Sequence, residues 1–215
     1  MAEEYMSEIY HVFNKSIAGF RIFNNDAEYA RMTETIRHYQ IHKPIQRFSQ
    51  FSALEDYKLG ATTPVTPNAK RLVNIIAYCL MPTPVHFVLE QLTERGIAIF
   101  ISNVLNSHTR FFNTKHKRKG PLWQSRSKKV LIKTDEQLIH LTRYIHLNPV
   151  TAKLVDAPED WSASSYDEYC FEKVGNGICQ FKHVLGIEPL SYQKFVKDQI
   201  GDQRELAIIK KMLFD

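Results

Sequence analysis

LVNIIAYCLMPTPVHFVLE, residues 72–90, contains two apolar runs separated by a turn that two prolines mark. Leu72 to Leu80 is apolar almost without interruption, the pattern of a strand covered on both faces, and Val85 to Glu90 follows as a second strand. With MPTP between them, the two read as a hairpin. Working outward, Ile9 to Ala18 is rich in β-formers and ends in a turn at Gly19, after which Arg21 to Phe23 is predicted to pair back as a short strand. Asn24, Asn25 and Asp26 supply a helix cap, and Tyr29, Met32, Thr33, Ile36 and Tyr39 recur at helical spacing to about Gln40. Between His42 and Arg71, Pro44, Gly60, Pro64 and Pro67 mark a long connection, with one short helix expected around Ser52 to Tyr57.

Downstream of the hairpin, Thr93 is the expected cap of a helix whose Ile97, Phe100, Ile101, Val104, Leu105, His108 and Phe112 share a face, ending near Asn113. A strand is expected near Ser127 to Lys133, then a helix from Thr134 and Asp135 with Leu138, Leu141 and Ile145 on its apolar side, stopping at Asn148-Pro149. This order of elements predicts an α+β fold, a ferredoxin-like antiparallel sheet with helices on one face. Beyond Pro158 come WSASSYDEY, a turn at Gly175 to Gly177, and two expected helices, Ser191 to Ile200 and Gln203 to Phe214. The second carries Leu206, Ile209, Met212 and Leu213 for packing on the domain or on a partner. The organisation read from this is a domain over 1–170 and a helical C-terminal extension over 171–215.

The chain has 215 residues, 44% of them hydrophobic, enough for a sizeable core. Its net charge of +5 is concentrated in one place. Between Glu94 and Asp135 there is no acid, while Arg110, Lys115, Lys117, Arg118, Lys119, Arg126, Lys128 and Lys129 all lie there, interleaved with Phe111, Phe112 and Trp123. Cations mixed with aromatics suit a surface that grips a phosphate backbone and stacks on unpaired bases. The competing reading is a solvated charged face, with Trp123 plugging the core. Cys79, Cys170 and Cys179 are odd in number and dispersed, which predicts reduced thiols. With an acidic N-terminus and no stretch apolar enough to cross a bilayer, the expectation is a cytoplasmic protein with no membrane partner.

On the helix beginning at Asp135, His140, Tyr144 and Asn148 are spaced four apart and form one polar stripe. Together with AYCLMPTPVHFVLE, FFNTKHKRKGPLWQSR, LTRYIHLNPVTAKLV, WSASSY and the opening YHVFNKS, this stripe resembles the single-tyrosine transposases of the HUH superfamily. The branch it is most similar to is the REP-associated tyrosine transposases, over roughly residues 8 to 170. The resemblance implies a DNA strand transferase acting on hairpin-forming single-stranded DNA, often as a homodimer. It implies Tyr144 as the nucleophile that forms a 5′-phosphotyrosine link, in DNA transposition and recombination. It also implies a divalent cation, Mg²⁺ or Mn²⁺, held by two histidines on one strand face and by a helix amide. His86 matches the second histidine and Asn148 the amide, with Glu90 further along the same face as an additional carboxylate ligand. The first histidine of the pair is replaced by Pro84, which has no side-chain donor. The alternative is therefore a transposase-derived DNA-binding protein without metal or cleavage. His11 lies on the first strand, which a neighbouring strand brings towards this site.

Overall fold

The computed structural model describes residues 8–42, 44, 46–53, 70–171 and 177–202. Strands β1 (Ile9–Lys15), β2 (Val73–Leu80), β3 (Pro84–Gln91) and β4 (Lys128–Leu131) form one antiparallel sheet in the order β2-β3-β1-β4. Helix α1 (Asp26–Tyr39) links β1 to β2, and α3 (Gly96–Lys115) links β3 to β4, the ferredoxin-like connection. Between α1 and β2 lies a single turn of helix, α2 (Phe48–Phe51), earlier than the position expected for it, of which 54–57 fall outside the described residues. Arg21 to Phe23 is not a strand. Its backbone instead ties to the hairpin turn, with Ile22 N donating to Pro82 O, while the Ile22 and Phe23 side chains are buried in the core. Asn25 caps α1 as expected, its side chain accepting from Glu28 N. α3 begins not at Thr93 but after Arg95, which takes a left-handed conformation.

The sheet is covered on both faces. One face packs Val12, Ile75, Leu80, Val85, Phe87 and Leu89 against α1 and α3 through Met32, Ile36, Phe100 and Val104. The other packs Ala77, Cys79 and Val88 against α4 (Asp135–Thr151) through Leu138, Ile145 and Leu147. A bulge in β2 between Ile75 and Ala77 adds Ile76 to this second core, so two consecutive residues face the same way. The carbonyls beside the bulge are satisfied from outside the sheet: Tyr169 Oη donates to Ile76 O, and Gln180 N donates to Ile75 O. α4 does not stop at Asn148-Pro149; it runs through Pro149 to Thr151. The buried Pro149 and Val150 side chains hold the last turn against the core despite the missing N–H.

Of the C-terminal extension expected over 171–215, Ile178 packs in the first core, while Phe181, Leu185, Tyr192 and Val196 belong to the second. Ile178, Phe181, Leu185, Tyr192 and Val196 are buried, the last two on α6 (Pro189–Lys197). α6 is shorter than the helix expected to Ile200, and the helix expected over Gln203 to Phe214 lies outside the described residues. WSASSY runs along the outer edge of β2: Leu80 N donates to Ala163 O, Ser165 N to Tyr78 O, and Tyr78 N to Ser165 Oγ. α5 (Tyr166–Cys170) follows directly.

His146 joins these parts. Its imidazole is fully buried among Tyr166, Tyr169 and Tyr192, with Nδ1 2.7 Å from Tyr192 Oη and Nε2 2.7 Å from Ser165 Oγ. Tyr192 Oη also lies 3.0 Å from Thr142 Oγ1 and Ser165 Oγ 3.2 Å from Tyr78 O, so both nitrogens of a neutral His146 are engaged, one as donor and one as acceptor. Burial lowers the His146 pKa to about 3, and burial lowers that of His108 to about 4, where Nε2–H donates to Ile22 O. Both are neutral in the folded state, whereas an unfolded histidine titrates near 6.5. Their stabilising contribution is complete above that value and is lost as the pH falls towards the folded values. Thermal unfolding measured from pH 7 down to 4.5 is expected to show a falling midpoint that begins near 6.5, with a shallower fall in His108→Gln.

Candidate active site

Along α4, Tyr144, Ile145, His146, Leu147 and Asn148 divide cleanly by exposure. Tyr144 is 43% exposed while Ile145, His146, Leu147 and Asn148 are buried. The apolar members and His146 hold the helix on the sheet, and this leaves Tyr144 at the rim of the covered face. Its ring meets the His86 ring edge-on, at 6.4 Å between centroids. Asn148 is buried one turn further on, with Nδ2 lacking any hydrogen-bond partner among the described residues.

His86, Val88 and Glu90 point to the face that α4 covers, opposite Val85, Phe87 and Leu89. In the β1–β3 register His86 lies across from Phe13, and Val88 across from His11. The two histidines are thus diagonal neighbours, with His11 Nε2 3.2 Å from His86 Nδ1. Phe13 flanks both rings, at 4.8 Å from His11 and 5.9 Å from His86. Burial lowers the pKa of each histidine to about 4, and for His86 the nearby His11 and Lys15 add to the effect. Burial also raises the Tyr144 phenol above its ordinary value. At neutral pH the site therefore holds a protonated phenol beside two neutral imidazoles.

The other expected ligands are differently engaged. Glu90 Oε2 accepts from Asn74 Nδ2 and lies 2.7 Å from His183 Nε2, at the far end of the strand from Pro84. Pro84 opens β3, where a missing N–H is tolerated, and its carbonyl accepts from Met81 N to close the hairpin turn. His140 lies beside Arg143, with 2.8 Å between Nδ1 and Nη2, and 5.5 Å from the Phe195 ring. Sequence reasoning did not single out His146, Asn74 or His183; their only signal was polarity inside otherwise apolar surroundings.

The basic run divides into structural and exposed members. Lys115 Nζ is 2.6 Å from Glu28 Oε1, whose carboxylate is buried and also accepts from Asn24 N. Burial raises the Glu28 pKa, but Lys115 and Asn24 outweigh it and hold the group below the ordinary value. Arg118 donates to Asn113 Oδ1 and Pro121 O and lies over the Phe20 ring. Trp123 packs against the first core and donates to Thr109 Oγ1, so it serves as a core plug. Arg110, Lys117, Lys119, Arg126, Lys128 and Lys129 are exposed. In register Lys128 pairs with Phe13, and Lys15 with Pro84, so both share the face of His86. Lys129 turns to the other side, over Tyr10.

No family model matches the chain. A Haemophilus influenzae protein whose name places it among REP-associated tyrosine transposases is 30% identical over 102 residues, covering 42% of this chain and 57% of its own length. A solved structure of a REP-associated tyrosine transposase bound to a REP hairpin aligns over 81% of this chain and 83% of its own, with 15% identity and a TM-score of 0.49. That structural likeness is too slight to bear on ligand or activity. Among the described residues, no helix is long and apolar enough to cross a membrane.

The split among the cations has a measurable consequence. Lys115→Met removes the cation closest to a buried carboxylate, leaving it to Asn24 and His116, and is expected to lower stability by about 1 kcal/mol. Lys128→Ala, on an exposed strand, should change it by less than about 0.5 kcal/mol. Urea denaturation of the two variants checks both values.

Proposed function

We propose that this protein binds hairpin-forming single-stranded DNA and cleaves and rejoins it through Tyr144, in DNA transposition or recombination. The observation that carries this reading is the placement of Tyr144: an exposed phenol directly before the buried run Ile145 to Val150, edge-on to His86 and on the face that also bears Lys15 and Lys128. The partial sequence similarity to a protein named as a REP-associated tyrosine transposase supports it. Lys15 and Lys128, with Arg126 nearby in sequence, suit the negative backbone, which gives affinity without choosing sequence.

In the proposed step Tyr144 Oη attacks phosphorus, and the bond from phosphorus to the 3′ oxygen breaks. The strand is left with its 5′ phosphate on tyrosine, and the leaving oxygen takes up a proton to become a 3′-hydroxyl. The phenolic proton passes to solvent, to which Tyr144 is exposed. One phosphodiester replaces another in energy, so attack by a second 3′-hydroxyl reverses the chemistry without ATP. A divalent cation bound here would neutralise charge on the phosphate.

Pro84 favours a second reading, in which DNA binding persists and cleavage is lost. Both are tested with labelled hairpin single-stranded DNA in the presence of Mg²⁺ or Mn²⁺. The expected result is a covalent adduct, stable to denaturing electrophoresis, that Tyr144→Phe abolishes. Hairpin binding with no adduct across a range of substrates would favour the second reading and reject the first.

A further inference from the structure

Pro84 removes one histidine from the strand, but the sheet supplies another from a different strand. His11 on β1 and His86 on β3 are 75 residues apart in sequence, and their ring nitrogens lie 3.2 Å apart. Two nitrogens that close can share one proton or one cation. With a metal–nitrogen bond of about 2.1 Å, nitrogens at this separation subtend roughly 100° at the ion, between the octahedral and tetrahedral values. The two rings are inclined by 17°, with 5.5 Å between their centroids.

We propose that His11 Nε2 and His86 Nδ1 together form a divalent-metal site bridging β1 and β3, in which His11 takes the place left empty by Pro84. The site rests on the proposed function only in giving the ion a role beside Tyr144; the coordination itself stands on the two strands. Imidazole donors favour borderline ions, so Zn²⁺ binds in preference to Mg²⁺, which demands oxygen. Asn148 is the third candidate donor: its amide is buried, one helical turn from Tyr144, and carries the unpartnered Nδ2, while the oxygen and nitrogen of such an amide are interchangeable by a flip. Phe13 shields one side of the pair, and Lys15 and Lys128 on the same face attract the phosphate that would complete the shell.

The test is ¹⁵N NMR of the histidine rings in the full chain, with one equivalent of Zn²⁺ added to metal-free protein. The expected outcome is a coordination shift of both His11 Nε2 and His86 Nδ1, with His140 and His146 unmoved. Zn²⁺ affinity by calorimetry should fall at least about tenfold in His11→Gln and in His86→Gln alike, and Mg²⁺ should bind at least about tenfold more weakly than Zn²⁺. Circular dichroism of each variant establishes that it is folded. A shift confined to His86, with full affinity in His11→Gln, would make His11 a hydrogen-bond partner only and overturn the proposal. Absence of any shift in either ring overturns it as well. The two readings fail separately: a coordinated His11–His86 pair in a protein that forms no adduct leaves the metal site standing, and an adduct of undiminished yield in His11→Gln leaves the nucleophile standing without it.

Discussion

The structure turns on one buried imidazole. His146 is hydrogen-bonded at both nitrogens, to Tyr192 from α6 and to Ser165 from the segment that edges β2. A neutral histidine in an apolar interior is costly unless both ring atoms are satisfied, and here two separate stretches of chain must be in place to do so. The consequence reaches the site because His146 lies two residues after Tyr144. Fixing the rotation of α4 about its own axis fixes which residue of YIHLN faces outward, and the outward one is Tyr144.

The second face of the sheet is therefore as much a built surface as the first. α1 and α3 close one side, as in a simple ferredoxin-like sandwich, while α4, α5 and α6 close the other chiefly over β2 and β3. β4 lies at the sheet edge with Val130 55% exposed. Tyr144, His86, His11 and Phe13 sit near the line where the helical cover gives way to this barer region. A site at such a boundary combines lowered histidine pKa values from partial burial with access for a large polyanion.

The charge of the chain has two uses that composition cannot separate. Lys115 and Arg118 come from the same basic run as Arg126 and Lys128, yet the first pair is tied into the fold through Glu28, Asn113 and backbone carbonyls. Trp123, the most suggestive base-stacking residue by type, is held between Thr109 and the first core. The long-range field of the protein is positive in either case, but a polyanion arriving from solvent would meet the residues left exposed.

Much of this was legible locally. Apolar runs on either side of the MPTP turn identified β2 and β3, helical spacing identified α1, α3 and α4, and the spacing of Tyr144 and Asn148 placed them one turn apart, because these signals depend only on local backbone geometry. Elements that depend on distant partners were not: Arg21 to Phe23 became core without pairing, α4 continued through Pro149 because Val150 is buried, and Phe181, Leu185, Tyr192 and Val196 joined the second core. The site divides in the same way. The sequence by itself determined the candidate nucleophile and His86, since each belongs to a short motif. Only the tertiary structure decided that His11 stands beside His86, because strand register between residues 75 apart is set by how the whole sheet packs.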